Sequence, residues 1–259
     1  MFDRYVALGD STTEGLVDPR PDGSFRGWAD RLAEQLAAGN PALRYANLAV
    51  RGRRIPQVHE EQLGPALALE PDLATVVAGL NDLLHRRYDP VGTAGHLEAM
   101  LGSLRAGGAT VMTFTLPDLS SVVPLARIVR ARLIEYNDAI RAAGASSGAI
   151  VVDIAAEPVS RDPRLWSPDR LHASPLGHQR IAAALAYALG LEGTDRTWAE
   201  PLRTAPRRPP HALITAELLW AQRYFTPWLL RRLRGRSSGD GRVAKRPSLT
   251  PVVVGVGEG

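Results

Sequence analysis

The 259-residue sequence has no cysteine, a single lysine and no long hydrophobic run. Without cysteine, the chain forms neither disulfides nor thiolate metal sites. No segment approaches the roughly 18–20 apolar residues of a membrane-spanning helix, and the first predicted strand leaves no room for a leader peptide. We therefore expect a cytoplasmic protein. Apart from Lys245 every basic residue is arginine, a bias that we interpret as genomic base composition.

Acidic and basic residues are distributed unevenly along the chain. Residues 1–200 carry a net charge of −4, whereas residues 201–259 carry +8. The mildly acidic larger part argues against a nucleic-acid-binding protein. The basic C-terminal part leaves contact with an anionic surface open, so a membrane-peripheral location is an alternative to a purely cytoplasmic one.

Short apolar runs alternate with stretches that have helical periodicity. The runs predict five buried strands, at Tyr5–Leu8, Tyr45–Val50, Leu73–Ala78, Thr110–Leu116 and Ile150–Ile154. The helical stretches are about 27–38, 56–69, 91–106, 123–144 and 175–189. This alternation predicts an α/β fold with a five-stranded parallel sheet, covered by helices on both faces.

The composition changes after Gly190. We place the α/β domain at residues 1–195, and a linker with an amphipathic C-terminal helix at 196–234, which Pro227 kinks or divides. Residues 235–259, rich in glycine, serine and proline, are predicted to be a disordered basic tail. The apolar and arginine residues of the helix fit docking on the body or a homodimer interface, which we favour, and also fit an anionic membrane surface.

The segment Gly9-Asp10-Ser11 directly follows the first predicted strand. Glu14 stands three residues beyond Ser11, in the register of a helix capping box. A serine at this switch lies at the carboxyl end of a strand, where α/β folds bind ligands, beside helix N–H groups that stabilise negative charge. By itself the segment is equally well explained as an ordinary helix cap.

Asp169 and His172 are three residues apart in a loop before the last helix of the domain. This spacing lets the carboxylate bind His172 Nδ1, which leaves Nε2 free to accept a proton from a serine. The best-placed serine is Ser11. A surface salt bridge is the alternative explanation for the pair.

Two further blocks follow predicted strands, one containing Gly52 and the other Gly79, Asn81 and Asp82. A glycine lets a backbone N–H approach a ligand closely, and an asparagine side chain supplies a second donor. Such donors stabilise the oxyanion of an acyl-transfer intermediate. Alternatively, Gly52 and Asn81 serve as turn formers.

Together the blocks resemble the SGNH hydrolase family, also called GDSL esterases and lipases. They match in order as Gly9-Asp10-Ser11, Gly52, Gly79-x-Asn81-Asp82 and Asp169-x-x-His172. The resemblance spans about residues 3–190 and implies a flavodoxin-like three-layer α/β/α sandwich. One departure is Thr12, at a position where leucine is frequent, but this residue takes no part in the implied chemistry.

The resemblance also implies roles for these residues. Ser11 would be the nucleophile, His172 the base and Asp169 its orienting partner. The oxyanion hole would consist of the N–H groups of Ser11 and Gly52 and the side chain of Asn81. We expect a serine esterase; the alternatives are an acyltransferase that uses a sugar or glycolipid acceptor and, less favoured, a non-catalytic binding module.

Other kinds of site fit the sequence poorly. No serine lies in a GxSxG nucleophile elbow, and no GxGxxG follows a strand as in dinucleotide-binding proteins. His172 and His178 lack a set of carboxylates that would complete a metal site, and His178 is better explained as a structural residue. We therefore expect neither a metal nor another cofactor.

The substrate is expected to be a small ester, with an acylated sugar or a lipid among the candidates. The loops that frame the pocket mix polar and apolar residues. We expect four residues to contact the substrate: Asp10, Asp82, Arg26 and Leu119.

Overall fold

The computed structural model of the chain describes residues 1–203, 217–234 and 236–253. Its sheet consists of β1 (Arg4–Gly9), β2 (Arg44–Asn47), β3 (Leu73–Val77), β4 (Thr110–Phe114), β5 (Ile150–Val152) and β6 (Arg246–Pro251). The strand order is β5-β4-β3-β1-β2-β6, and the first five strands are parallel. This is the flavodoxin-like order with one added edge strand, so the predicted α/β class is confirmed.

Helices cover the sheet. They are α1 (Ser11–Glu14), α2 (Gly27–Gly39), α3 (Ile55–Ala68), α4 (Leu80–Leu83), α5 (Pro90–Ala106), α6 (Arg130–Ser147), α7 (Pro175–Ala188) and α8 (Thr226–Leu233). α2 packs against α7, whereas α5 packs against both α3 and α6. The helix predicted over 123–144 begins later, at Arg130, because a 3₁₀ segment that starts at Pro124 precedes it.

β1 lies inside the sheet, and the catalytic candidate Ser11 follows its end. Tyr5 is fully buried, stacks on Tyr45 with ring centroids 5.0 Å apart, and bonds Thr75 Oγ1 through its hydroxyl at 3.0 Å. At the other end of β1, Gln62 of α3 accepts from Gly9 N at 2.8 Å and donates to Gly9 O at 2.9 Å. The strand that leads to Ser11 is therefore held at both ends.

The C-terminal residues correct one sequence-based prediction. Residues 246–251, which we expected to be disordered, form β6 and pair antiparallel with β2. Without β6, the backbone N–H and C=O groups of β2 would be unpaired along one edge of the sheet. Glycine- and proline-rich composition concealed the strand, because its stability comes from this pairing. Residues 254–259 of the predicted tail lie outside the described residues.

The C-terminal helix is described from residue 217, and residues 204–216 of the predicted linker and helix lie outside the described residues. A π-helical turn, Ala221–Phe225, precedes α8. Pro227 lies in the first turn of α8, where its missing N–H is tolerated. No helix in the described ranges has the length and apolar character needed to cross a membrane.

Candidate active site

Ser11 is the first residue of α1 and follows β1 after a single N-cap residue, Asp10. The Asp10 side chain accepts from Thr12 N at 3.0 Å and thereby begins the helix. Gly9 has a φ of +154°, and a Cβ there would lie 2.1 Å from Val77 O. The sharp turn that presents Ser11 at the edge of the sheet therefore requires glycine at position 9.

His172 and Asp169 form the expected pair in the loop before α7. His172 Nδ1 lies 2.7 Å from Asp169 Oδ2, while Asp169 Oδ1 accepts from the N–H of His172 at 3.0 Å and from Ser167 Oγ at 2.5 Å. Burial by itself would raise the pKa of Asp169, but the hydrogen bonds from His172 and Ser167 outweigh it and hold that pKa well below its ordinary value. Because an ionised carboxylate only accepts, Nδ1 of His172 carries the proton and Nε2 of the neutral ring is an acceptor.

Gly52 follows β2 and Asn81 follows β3, the two strands on either side of β1. Asn81 Nδ2 donates to Asp10 Oδ2 at 3.2 Å and to Arg53 O at 3.0 Å, so the amide is fixed between the nucleophile turn and the Gly52 loop. In the part of the chain that the structure describes, the N–H groups of Ser11 and Gly52 donate to no protein atom. Both are therefore available to a ligand.

These groups face one cleft with a volume of about 600 Å³. Its lining includes Ser11, Gly52, Asn81, Asp169 and His172, together with residues of the segment 119–129 and of the C-terminal helix. Within the described residues, the Ser11 hydroxyl makes no hydrogen bond, including to His172. Catalytic hydrogen bonds are often long in proteins without substrate.

The four expected substrate contacts occupy different places. Leu119 lines the cleft, whereas Arg26 pairs with Glu34, with Nε 2.9 Å from Oε2, and Asp82 accepts from Ile55 N at 3.0 Å. Arg26 and Asp82 do not line the cleft in the described structure. Their polar groups bind partners in α2 and at the start of α3, and contact of either side chain with a substrate stays a prediction.

Asp10 is likewise buried beneath the cleft and does not line it. Burial raises the pKa of Asp10 to about 6, although its hydrogen bond with Thr12 and the nearby His172 act in the opposite direction. Its carboxylate accepts from Thr12 N and from the Asn81 amide. We therefore describe Asp10 as a residue that positions Ser11 and Asn81.

His178 has the structural role that the sequence indicated. Its Nδ1 accepts from Trp28 N at 3.1 Å and its Nε2 donates to Leu16 O at 3.1 Å, so the ring joins the ends of α1 and α2 from a fully buried position. Burial lowers the pKa of His178 to about 4. The ring is therefore neutral at physiological pH.

Sequence reasoning missed the contacts that the C-terminal residues make with the site. Lys245 Nζ donates to Glu14 O at 2.6 Å, to Phe25 O at 2.9 Å and to Asp30 Oδ2 at 2.6 Å, beneath the nucleophile helix. The sequence did contain a signal for this role, because Lys245 is the one lysine of an arginine-rich chain. We had attributed the arginine bias to genomic composition. Three acceptors around one point suit an ammonium group better than the planar guanidinium of arginine.

The turn at Ser237 packs on the Gly52 loop. Ser237 Oγ donates to Gly52 O at 3.4 Å, and a Cβ on Gly52, whose φ is +76°, would lie 2.2 Å from that hydroxyl oxygen. Gly239 is equally close on the other side, since a Cβ there would lie 1.9 Å from Arg51 O. Glycine at both positions therefore permits the C-terminal turn to support the loop that carries one oxyanion donor.

The fold and the cleft define an ester hydrolase of the SGNH type. The chain belongs to the GDSL-like Lipase/Acylhydrolase family, whose model matches residues 7–180. The match includes every residue of the four blocks. It ends before the C-terminal helix and β6, so these parts of the cleft lie outside the matched region.

Several solved structures share the fold. Axe2, an acetylxylan esterase from Geobacillus stearothermophilus, has a TM-score of 0.62 at 16% identity, with 75% of this chain and 97% of that one covered. TesA has a TM-score of 0.59 at 22% identity, covering 72% and 98% respectively. LAE5, an α/β hydrolase from the metagenome of Lake Arreo, Spain, has a TM-score of 0.61 at 22% identity, covering 73% and 95%. No curated protein sequence matches the chain significantly.

Proposed function

We propose that the protein hydrolyses a carboxylic ester through an acyl-enzyme on Ser11, with His172 as general base and Asp169 as the residue that orients it. The observation that carries the proposal is the 2.7 Å contact between His172 Nδ1 and Asp169 Oδ2, on a loop that lines the same cleft as Ser11. Because this contact fixes the protonated nitrogen, Nε2 is left as the proton acceptor.

The chemistry proceeds in two steps. His172 Nε2 takes the Ser11 proton, Ser11 Oγ attacks the ester carbonyl, and the tetrahedral oxyanion receives hydrogen bonds from the N–H groups of Ser11 and Gly52. Asn81 Nδ2 is the third donor. To bind the oxyanion it gives up one of its hydrogen bonds to Asp10 Oδ2 and Arg53 O. His172 then protonates the leaving alcohol, and the same ring activates the water that releases the acid.

Acyl transfer to an alcohol is the second candidate, because it uses the same residues with a different second step. The apolar lining of the cleft favours it, since a largely apolar site limits the access of water to the acyl-enzyme. The two candidates differ in a product assay. A panel of sugars and glycolipids is added during ester turnover, and an acylated acceptor formed at the expense of free acid indicates transfer.

Labelling with a fluorophosphonate tests the nucleophile. We expect one phosphonate adduct per chain on the peptide that contains Ser11, and no adduct on Ser11→Ala. Ser24→Ala, which alters an exposed serine of a loop away from the cleft, is the matched control and should label like wild type. Absence of labelling in the wild-type chain, or unchanged labelling of Ser11→Ala, would contradict the proposal.

A further inference from the structure

The C-terminal helix, residues 217–234, is fastened to the loop that carries Asp169 and His172. Glu217 forms a two-pronged ion pair with Arg170, with both N···O distances at 2.7 Å, and Trp220 Nε1 donates to Asp169 O at 3.1 Å. The Arg170 guanidinium lies over the Trp220 ring, 4.7 Å from its centroid. Arg170 also donates to Val122 O at 3.2 Å, so it joins the helix, the catalytic loop and the segment 119–129.

The two segments joined by Arg170 give the cleft apolar walls. Leu119, Ala126 and Val129 line it from the first segment, and Trp220, Tyr224 and Leu229 line it from the C-terminal helix. The volume of about 600 Å³ is in the range of sites that bind drug-sized ligands. It is far larger than an acetyl group needs, and most of the side chains that line it are apolar.

Charged side chains occupy two parts of the lining. Asp169 and Arg170 lie in the same loop as His172, whereas Arg51 lies beside Gly52 and Arg223 and Arg231 belong to the C-terminal helix. On the Asn81 side, Leu84 follows the oxyanion donor by one helical turn and lines the cleft. The leaving alcohol departs toward His172, which protonates it, so the apolar volume is left to the acyl group.

We infer that this cleft selects esters with long acyl chains, and that Leu229 of the C-terminal helix and Ala126 of the segment 119–129, which both line it, determine the chain length. The inference rests on the proposed function, since it assigns a substrate class to the same site. It assigns part of the selection to the C-terminal helix, which lies beyond the residues matched by the family model. The helix is therefore a part of the substrate site.

The test is a chain-length profile of the full-length protein on p-nitrophenyl esters from acetate to laurate, below their micellar concentrations. We expect kcat/KM to rise by about two- to fourfold for each added methylene until the cleft is filled. Leu229→Trp and Ala126→Trp should shift the optimum to shorter acyl groups and lower the laurate-to-butyrate ratio by about tenfold, because each fills the space of several methylenes.

Leu230→Trp is the matched control, because Leu230 is the neighbouring leucine, is 45% exposed and does not line the described cleft. It should keep the wild-type profile. A profile that falls steadily from acetate, or an equal shift in Leu230→Trp, would overturn the inference. So would a preference that follows the alcohol chain in a parallel series of alkyl acetates. Fluorophosphonate labelling separates these results from failure of the proposed function, in which Ser11 would not react at all.

Discussion

Two regions of the molecule meet at the cleft and contribute differently to it. The body, residues 1–203, supplies Ser11, Gly52, Asn81, Asp169 and His172, the groups to which we assign bond making and breaking. The C-terminal segment, comprising residues 217–234 and 236–253, supplies an apolar wall, a turn against the Gly52 loop and one buried lysine. The reactive groups thus belong to one region, while part of their support belongs to the other.

The difference is clearest around α1, which carries Ser11. From the body, His178 binds Leu16 O and Trp28 N. From the C-terminal segment, Lys245 binds Glu14 O and Phe25 O, one turn away on the same stretch of chain. The nucleophile helix is therefore held by two independent supports. A chain shortened to the body would lose one support, one wall of the cleft and the strand that covers the edge of β2.

Removing a reactive group of the body should have the largest effect. His172→Ala is expected to lower kcat by about 10⁴- to 10⁶-fold, because Ser11 loses its general base. The change in stability should be small, since the ring lies at the cleft wall. Ester turnover and thermal unfolding measured on the same preparation check this expectation. Turnover within tenfold of wild type would show that another group accepts the proton.

Removing the support from the C-terminal segment should have a mixed effect. Lys245→Met leaves Asp30 buried without its ion-pair partner, which costs about 3–5 kcal/mol of unfolding free energy in comparable buried pairs. Because Glu14 O ends α1, we also expect kcat/KM to fall by about ten- to a hundredfold through displacement of Ser11. Urea unfolding and steady-state kinetics measure the two effects.

Lys245→Arg is the control for charge. It keeps the cation but replaces a compact ammonium by a planar group that does not reach three converging acceptors. It should recover part of the stability and less of the activity. If Lys245→Met loses stability with full activity, the C-terminal segment is a structural addition and the comparison between the two regions fails.

The sequence predicted the body far better than the C-terminal segment, for a physical reason. The strands of the body are continuous apolar runs, Ser11 and Asn81 closely follow two of these runs, and Asp169 and His172 share one short loop. All of these features can therefore be recognised locally. β6 has no such run, and the position of Lys245 depends on acceptors contributed by Glu14, Phe25 and Asp30, more than two hundred residues earlier. For the same reason, the partners of Arg26 and Asp82, which are Glu34 and Ile55 N, could not be inferred from spacing.

The two supports of α1 should also respond oppositely to pH. Burial raises the pKa of Asp30 to about 6, although Lys245 acts in the opposite direction. The native state therefore holds the Asp30 proton more tightly than the unfolded state does. The contribution of Asp30 to stability consequently falls as pH rises from about 4 to 6. His178 has the opposite sign. Its native pKa of about 4 lies below the 6.5 of an exposed histidine, so stability falls as pH decreases from about 6.5 to 4.

His178→Gln separates these contributions, because a glutamine amide has one donor and one acceptor but does not titrate. We expect the variant to be less stable at pH 7, where the neutral ring fits Leu16 O and Trp28 N best. Between pH 6.5 and 4, the unfolding free energy of wild type should fall by roughly 3 kcal/mol more than that of the variant. Urea unfolding across this range measures the difference. If the unfolding free energy of the variant changes with pH as steeply as that of wild type, His178 already binds its proton in the native protein. The support from the body would then be charged, like the support from Lys245.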